Sequence, residues 1–436
     1  MRGTLPKIYY GWVIVCVGFI VVTIMYGNKF CFGTLFNALL EEFGWSRTMV
    51  TSVFSVSILS QALLQPFGGA LLDRFGPKKM ILTGALLMAL SLTLFGQARS
   101  LYGVYLSYGI LFSLAAVGGG MVVNTTMVSR WFVKKRGMAT GLVSIGTGFG
   151  LFVFNPLLAY LIHQLGWRNA VTALGIVTGT VIVVLVSLLV KNLPQDVGQY
   201  VDGMSADEYR RLREVIVQTA DETASRPRQE WTYQDALKTR EFWLILLAYL
   251  GYLFTWYSIT NHAVMAMCDM GLSHITAATM FGYTGLIAAA SGIVWAWLAD
   301  MVKDRKTMMI ISYLLFGIGC LLFAYNPGGP RMILLVVLVI GAAHGAAMTL
   351  SAVVADRFGV AAMGKIWGTI TMAGLLGGAV GPICVARWYN PVYSYSSAWK
   401  YLALASAVSF GCMFFVRRNP QPFFFLNNYI KNRNEV

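Results

Sequence analysis

Three side chains able to hold a charge or exchange a proton stand where charge is costly. Lys29, His262 and His344 each fall inside an apolar run long enough to cross a bilayer, which makes them functional candidates by default. Lys29 is the only base well inside such a run. At about 1.5 Å of rise per residue it lies toward the outer half of the membrane, where it can attract an anion, exchange a proton or snorkel to the interface. Asn261 and His262 reach a comparable depth in the seventh run. Asn28-Lys29 and Asn261-His262 are therefore expected to face each other across a cavity mouth as a two-sided polar gate. His262 can titrate near neutral pH and couple movement to protons, or stay a neutral imidazole bonded between helices. His344 is set among Gly341, Ala342, Ala343 and Gly345, small neighbours that leave room for a second helix or a substrate. Asn124 and Asn155 offer neutral hydrogen bonds, although Asn155, next to Pro156, is equally suited to a loosened backbone carbonyl. Trp256 and Tyr257 lie too deep for interface-belt aromatics, so they can wall a pocket or embrace a cationic head group.

Other chemistries lack their residues. No P-loop, HExxH, GxSxG elbow or pair of intramembrane carboxylates occurs, so neither nucleotide hydrolysis nor hydrolytic catalysis is expected, and no cofactor is implied. Cys16, Cys31, Cys268, Cys320, Cys384 and Cys412 form no CxxC pair and no cluster with His at metal-ligand spacing; buried free thiols and no metal are expected.

The elements that must position these residues are apolar helices. Hydrophobic residues make up 57% of the 436 positions and charged residues 12%, more apolar surface than a soluble core buries. Twelve runs of spanning length follow: Tyr10–Leu35, Val50–Leu72, Met80–Ala98, Leu101–Met127, Gly137–Ile162, Val171–Val190, Phe242–Met267, Thr276–Ala299, Thr307–Tyr325, Met332–Val354, Ile366–Ala386 and Tyr401–Val416. The first is too long for a signal-peptide core and is expected to stay in the mature protein. They divide into a six-helix bundle over 1–190, a charged cytoplasmic linker over 191–240, and a second six-helix bundle with a cytoplasmic tail over 241–436. Within the linker, Ser205 and Glu208 read as a capping box opening an amphipathic helix through Tyr209, Leu212, Val215 and Ile216, and a second short helix is expected from Tyr233 to Thr239.

The net charge of +15 is scattered in short clusters between apolar runs rather than gathered on one face, which argues against nucleic acid and for the positive-inside rule. With the amino terminus cytoplasmic, the outer segments keep only Lys29, Arg47, Arg99, Arg168, Arg331, Arg387 and Lys400 of the 33 Lys and Arg residues. Both termini are then cytoplasmic.

The halves echo each other. Gly69-Ala-Leu-Leu-Asp73-Arg74-Phe-Gly76-Pro-Lys78-Lys79 follows the second run, and Ala296-Trp-Leu-Ala-Asp300-Met-Val-Lys303-Asp304-Arg305-Lys306 follows the eighth, with acid and terminal bases at the same spacing. Such duplication is frequent in secondary transporters. The segment suits a gate: Gly69 allows close helix approach, Asp73 and Asp300 favour the positive end of a neighbouring helix, and Arg74, Lys78, Lys79, Arg130, Arg136 and Arg305 can pair with acids across the interface between halves.

The first copy matches the G-x-x-x-D-R-x-G-x-K/R-K/R signature of the major facilitator superfamily. Tyr9-Tyr10-Gly11-Trp12, Glu41 to Arg47, Ser129-Arg130-Trp131-Phe132 with Arg136-Gly137, and Arg240-Glu241-Phe242-Trp243 further resemble its oxalate:formate antiporter and monocarboxylate-transporter-like branch. The resemblance implies an all-α membrane protein of twelve transmembrane helices in two pseudo-symmetric six-helix bundles, a central cavity, and movement of small carboxylates coupled to protons or a counter-anion. Three positions depart from that branch: Gly292 stands where members often carry an Arg, Ile370 or Thr371 where oxalate carriers place a Lys, and Thr34 where animal monocarboxylate carriers place one. The leading expectation is a proton-coupled or anion-exchanging carrier of a small organic acid, monomeric, in a cell membrane of the bacterial inner-membrane type. A carrier of a neutral, zwitterionic or cationic metabolite, and a non-transporting receptor, stay open as alternatives.

Overall fold

The structure, a computed structural model, describes residues 9–132, 135–210, 232–302, 304–325, 329–346, 350–358, 363–390 and 394–417. Twelve spanning helices run through them. The first six are α1 (Gly11–Phe43), α2 (Arg47–Leu72), α3 (Arg74–Gln97), α4 (Leu101–Ser129), and α5 and α6, which share Gly137–Leu189 and divide at Gly166. The second six are α7 (Arg240–Asp269), α8 (His274–Met301), α9 (Lys306–Ala324), α10 (Pro330–Ala346, resumed at Leu350–Phe358), α11 (Met363–Trp388) and α12 (Ser396–Phe415).

Local chemistry sets the boundaries. The side chains of Ser46, Ser100, Thr239 and Ser273 accept the backbone N–H groups of Met49, Gly103, Phe242 and Thr276, satisfying donors that the first turn of a helix leaves open. Gly76 and Gly166 sit at φ 76° and 73°, a left-handed conformation that lets the chain reverse between helices at no steric cost. Leu63, Phe67, Leu86, Leu188 and Val408 are exposed, as a lipid-facing belt requires, whereas the polar residues Thr51, Asn124, Asn155 and Thr255 are fully buried between helices. Cys16 is exposed rather than buried, because its position on α1 faces outward.

Small residues bring helices together within and between bundles. A Cβ on Gly150 would fall 2.3 Å from the Thr23 carbonyl of α1, and one on Gly377 would fall 2.5 Å from the Leu250 carbonyl of α7. Across the two halves, a Cβ on Gly33 would fall 2.5 Å from the Thr260 carbonyl, while Gly148 of α5 and Gly285 of α8 approach as closely. The Gly33 contact lies toward the end of the molecule that carries Arg47, here termed the Arg47 end. The opposite end carries the α2–α3 turn and the linker. There Ser205 and Glu208 form a reciprocal cap, with Ser205 N–H donating to Glu208 Oε2 at 2.9 Å, and a short helix spans Tyr233–Leu237; Leu212, Val215 and Ile216 lie outside the described residues.

Candidate functional site

A cavity of 930 Å³ lies between the bundles, lined from α1, α2, α4, α5, α7, α10 and α11 and reaching Gly69, Tyr233 and Lys365 at the linker end. Lys29 is in its wall, 4% exposed, in the last turn before α1 tightens into a 3-10 segment at Cys31–Leu35. The Lys29 carbonyl accepts the Tyr108 hydroxyl at 3.2 Å. The Lys29 ammonium donates to Gln61 Oε1 at 2.7 Å and to the Tyr257 hydroxyl at 3.2 Å, so it joins the two halves through neutral groups. It does not snorkel. Among the described lining residues there is no Asp or Glu, and the only other cation is Lys365, exposed at the mouth. An ammonium carries three donors, and one remains for a ligand.

Aromatic rings build much of the wall. Trp256 stacks on His344 with centroids 3.6 Å apart and 12° between planes, and meets Phe30 edge-on at 6.0 Å. The His344 ring is fixed by Tyr252, whose hydroxyl lies 2.7 Å from Nδ1; among the described residues Nε2 makes no hydrogen bond. Tyr257 sits against α11, where a Cβ on Gly378 would strike its ring at 2.2 Å. Thr371 also lines the cavity, and its hydroxyl has no hydrogen-bond partner, whereas Ile370 is packed away in the core. Gly292 is not among the cavity-lining residues, and a Cβ on Gly345 would lie 2.7 Å from the Gly292 nitrogen, so the backbones of α8 and α10 approach closely there.

The polar gate expected from Asn28-Lys29 and Asn261-His262 does not form. Successive helix residues point in different directions, and only Lys29 of the four reaches the cavity. The Asn28 amide nitrogen turns into its own bundle, donating to the Ile24 carbonyl and, at 3.4 Å, to Thr178. Asn261 donates back to the Tyr257 carbonyl one turn earlier. Nor do Asn124 and Asn155 line the cavity. Asn124 donates to the Gly119 and Gly120 carbonyls, where α4 breaks, and Asn155 donates to the Leu151 carbonyl while accepting the Thr34 hydroxyl at 2.8 Å.

His262 belongs to a second cluster, at the Arg47 end. Arg47 donates to the Tyr395 hydroxyl at 2.7 Å and pairs with Asp269 at 3.4 Å, its guanidinium lying 3.9 Å over the Tyr389 ring. Tyr395 OH lies 3.1 Å from His262 Nδ1, and His262 Nε2 lies 3.0 Å from the Pro382 carbonyl. A carbonyl can only accept, so Nε2 carries the hydrogen and Nδ1 accepts from Tyr395, which is the neutral imidazole. Burial holds the Tyr395 phenol above its ordinary pKa against the opposing pull of Arg47, keeping the hydroxyl protonated for this relay. His274 Nε2 adds a further tie between halves, 2.8 Å from the Thr34 carbonyl. Arg47 of α2 thus clasps the end of α7 and the α11–α12 connection of the other bundle and closes this end.

Among the described residues, Lys78, Arg74 and Arg305 of the motif segments make contacts within their own bundles. Because the cavity opens toward the linker end, a Cβ on Gly69 would meet nothing within 4 Å. Lys78 donates to the Ser187 carbonyl of α6 at 2.9 Å, Arg74 lies over the adjacent Phe75 ring, Lys79 is exposed, and Arg130 comes within 3.8 Å of the Cβ position of Gly76. Arg305 pairs with Asp356 at 3.2 Å, and Arg357 contacts both oxygens of Asp304 at 2.9 Å, all within the second bundle. The side chains of Asp73, Arg136 and Asp300 lie outside the described residues.

Gln61, Tyr249, Tyr252 and Trp367 line the cavity without having been singled out from sequence. Gln61 and Gln65 stand one helical turn apart in an otherwise apolar stretch, a signal that attention to ionisable groups alone passes over.

Two helical bundles around a central cavity, closed at one end by inter-bundle contacts and open at the other, define a membrane carrier. The model of the Major Facilitator Superfamily matches residues 18–382, and again 269–426. The chain belongs to this superfamily and is a multi-pass membrane transporter. It is 22% identical to the oxalate:formate antiporter of Oxalobacter formigenes, over 93% of this chain and 91% of the relative. It is also 33% identical to monocarboxylate transporter 14 of Homo sapiens, over 39% of this chain and 33% of that protein. Among solved structures, a crystal structure of a peptide transporter POT bound to sulfate superposes with a TM-score of 0.71 at 12% identity, covering 92% of this chain and 93% of that one, a likeness of fold alone.

Proposed function

We propose that this transporter carries a small organic acid as its carboxylate, by alternating access, with Lys29 as the group that receives the negative charge. The observation that carries the reading is the Lys29 ammonium in the cavity wall, held among the described residues by Gln61 and Tyr257, in a lining whose described residues include no carboxylate. A buried charge without a counter-charge is stabilised by an anion that arrives from outside, through charge-assisted hydrogen bonds. The free hydrogen on Lys29 and the Tyr257 hydroxyl supply two donors to one carboxylate. The same cation disfavours a cationic or zwitterionic cargo, which needs an acid in the site. Relatives named as an oxalate:formate antiporter and monocarboxylate transporters support the class of cargo.

In this reading the linker end faces the cytoplasm, because the bases cluster there. The arrangement is then open inward, with the Arg47 cluster closing the outside. Rocking of the bundles breaks that cluster and closes the linker end around the Asp73 and Asp300 segments. Protons or a counter-anion drive the cycle, and no cofactor takes part. The test is uptake of labelled pyruvate, lactate, formate and oxalate into proteoliposomes, under an inward proton gradient and, separately, with each acid preloaded. Uptake of at least one acid above protein-free vesicles, reduced about 100-fold in Lys29→Ala, is the expected result. Equal uptake by wild type and Lys29→Ala overturns the assignment.

A further inference from the structure

The neutrality of one partner of Lys29 governs what that ammonium can bind. We propose that Gln61 of α2 sets the charge of the cargo: it aims Lys29 throughout the transport cycle without neutralising it, so that the negative charge has to come from the substrate. This rests on Lys29 as the anion site.

Gln61 makes the shorter of the two bonds to the ammonium. Lys29 Nζ donates to Gln61 Oε1 at 2.7 Å and to the Tyr257 hydroxyl at 3.2 Å. An ammonium only donates, so the amide oxygen rather than the nitrogen faces it, and the two amide hydrogens remain for other partners. Among the described residues no protein acceptor takes those hydrogens, and Gln61 is half-buried in the cavity wall. Beside Lys29 the wall therefore offers a positive charge and amide donors, with no carboxylate among the described lining residues.

The bundle to which each partner belongs separates Gln61 from Tyr257. Lys29 of α1 and Gln61 of α2 share one bundle, whereas Tyr257 of α7 stands in the other. When the bundles rock, the bond from Lys29 to Tyr257 spans the moving interface and the bond to Gln61 does not. Gln61 is the partner that accompanies the ammonium whichever way the cavity faces.

Residue type then matters more than size. Glutamine and glutamate share a shape and differ in one group, an NH2 against an oxygen. A carboxylate in the place of that amide would answer Lys29 inside the protein, as Asp269 answers Arg47, and an arriving acid would meet a completed ion pair and a like charge. The neutral amide oxygen orients the ammonium through a charge-assisted hydrogen bond and leaves its charge for the ligand. Methionine has a similar length and no charge but offers no such acceptor, so it loosens the aim alone.

The experiment compares wild type, Gln61→Glu, Gln61→Met and Lys29→Ala as full chains, by uptake of labelled pyruvate, lactate, formate and oxalate into proteoliposomes and by thermal unfolding in detergent. For the acids that the wild type carries, Gln61→Glu is expected to cut uptake about 100-fold while melting no lower than the wild type. Gln61→Met is expected to raise KM about tenfold through the loss of one charge-assisted hydrogen bond, with the maximal rate changed less than about twofold. A packing role would treat the two near-isosteres alike, so equal uptake by Gln61→Glu and Gln61→Met overturns the assignment. Uptake by Gln61→Glu within about threefold of the wild type also overturns it. In both cases loss of uptake in Lys29→Ala leaves the carboxylate reading standing. Uptake independent of Lys29, or no uptake of any acid, removes both. If Gln61→Glu fails to fold, Gln61→Met decides: a raised KM at an unchanged maximal rate upholds the role of Gln61, and an unchanged KM overturns it.

Discussion

Lys29 and Arg47 are both buried or half-buried cations that reach across from the first bundle to a tyrosine of the second, yet their surroundings differ in one respect. Arg47 has Asp269 within 3.4 Å and an aromatic face against its guanidinium, so its charge is answered by the protein. Lys29 has a glutamine and a phenol. A cation answered within the fold fastens two halves together; a cation answered only by neutral oxygen is, in the function proposed above, the one a ligand completes. The two sites also differ in place, Arg47 at the end where the halves close together and Lys29 in the wall of the cavity between them.

The largest effect that tests this contrast is a divergence in stability. Lys29→Met, which replaces an uncompensated buried charge with a flexible apolar chain, is expected to raise the melting temperature by the equivalent of about 1–3 kcal/mol while abolishing uptake. Arg47→Met leaves Asp269 with only the Ser394 hydroxyl among its donors and the Tyr395 hydroxyl without its arginine, and is expected to lower stability by about 1–3 kcal/mol. Thermal unfolding of both variants in the same detergent reads the two signs, and a shared sign would erase the distinction.

A smaller effect concerns His262. Its hydrogen-bond pattern is that of a neutral ring wedged between Tyr395 and Pro382, with Arg47 donating to the same hydroxyl. Protonation at Nδ1 would set a second donor against the Tyr395 hydroxyl. His262→Gln is therefore expected to keep the wild-type dependence of uptake on pH between about 5 and 8, the range in which histidine ordinarily titrates. Loss of that dependence in the variant would make His262 the coupling group and move proton exchange to the Arg47 end.

The smallest expected change sharpens the cavity side. The Thr371 hydroxyl is buried without a partner, so Thr371→Val is expected to leave the melting temperature within the equivalent of about 0.5 kcal/mol, while affinity for substrate falls about threefold if the hydroxyl serves the ligand. Thermal unfolding together with an uptake titration separates the two.

The helices were legible because hydropathy, caps and glycine breaks are written in consecutive residues. The run from Leu101 already predicts α4, and the break between the runs ending at Leu72 and beginning at Met80 falls at Gly76, where the structure turns the chain at φ 76°. By count of residues alone, Lys29, His262, Asn28 and Asn261 share a similar depth, which predicts that they meet. Depth is a sum of rises, but facing is a rotation of about 100° per residue compounded with the tilt and packing of each helix. Asn28 and Lys29 are adjacent in sequence and therefore point into different surroundings, one toward Thr178 and the other toward Tyr257. Gln61 escaped notice for the opposite reason: a neutral amide is unremarkable until a lysine from another helix is found against it.

What the sequence by itself determined is the class of molecule: twelve apolar helices in two related halves, a repeated acidic and basic turn, and a few isolated polar side chains. These follow from the free energy of transferring residues between water and lipid, which each segment settles alone. Only the tertiary structure decided which polar groups share a site, since that depends on how small residues such as Gly33, Gly148 and Gly285 let helices approach and on which face each then turns inward. Lys29 at a cavity wall and Arg47 in a clasp are results of packing, and packing is a property of pairs.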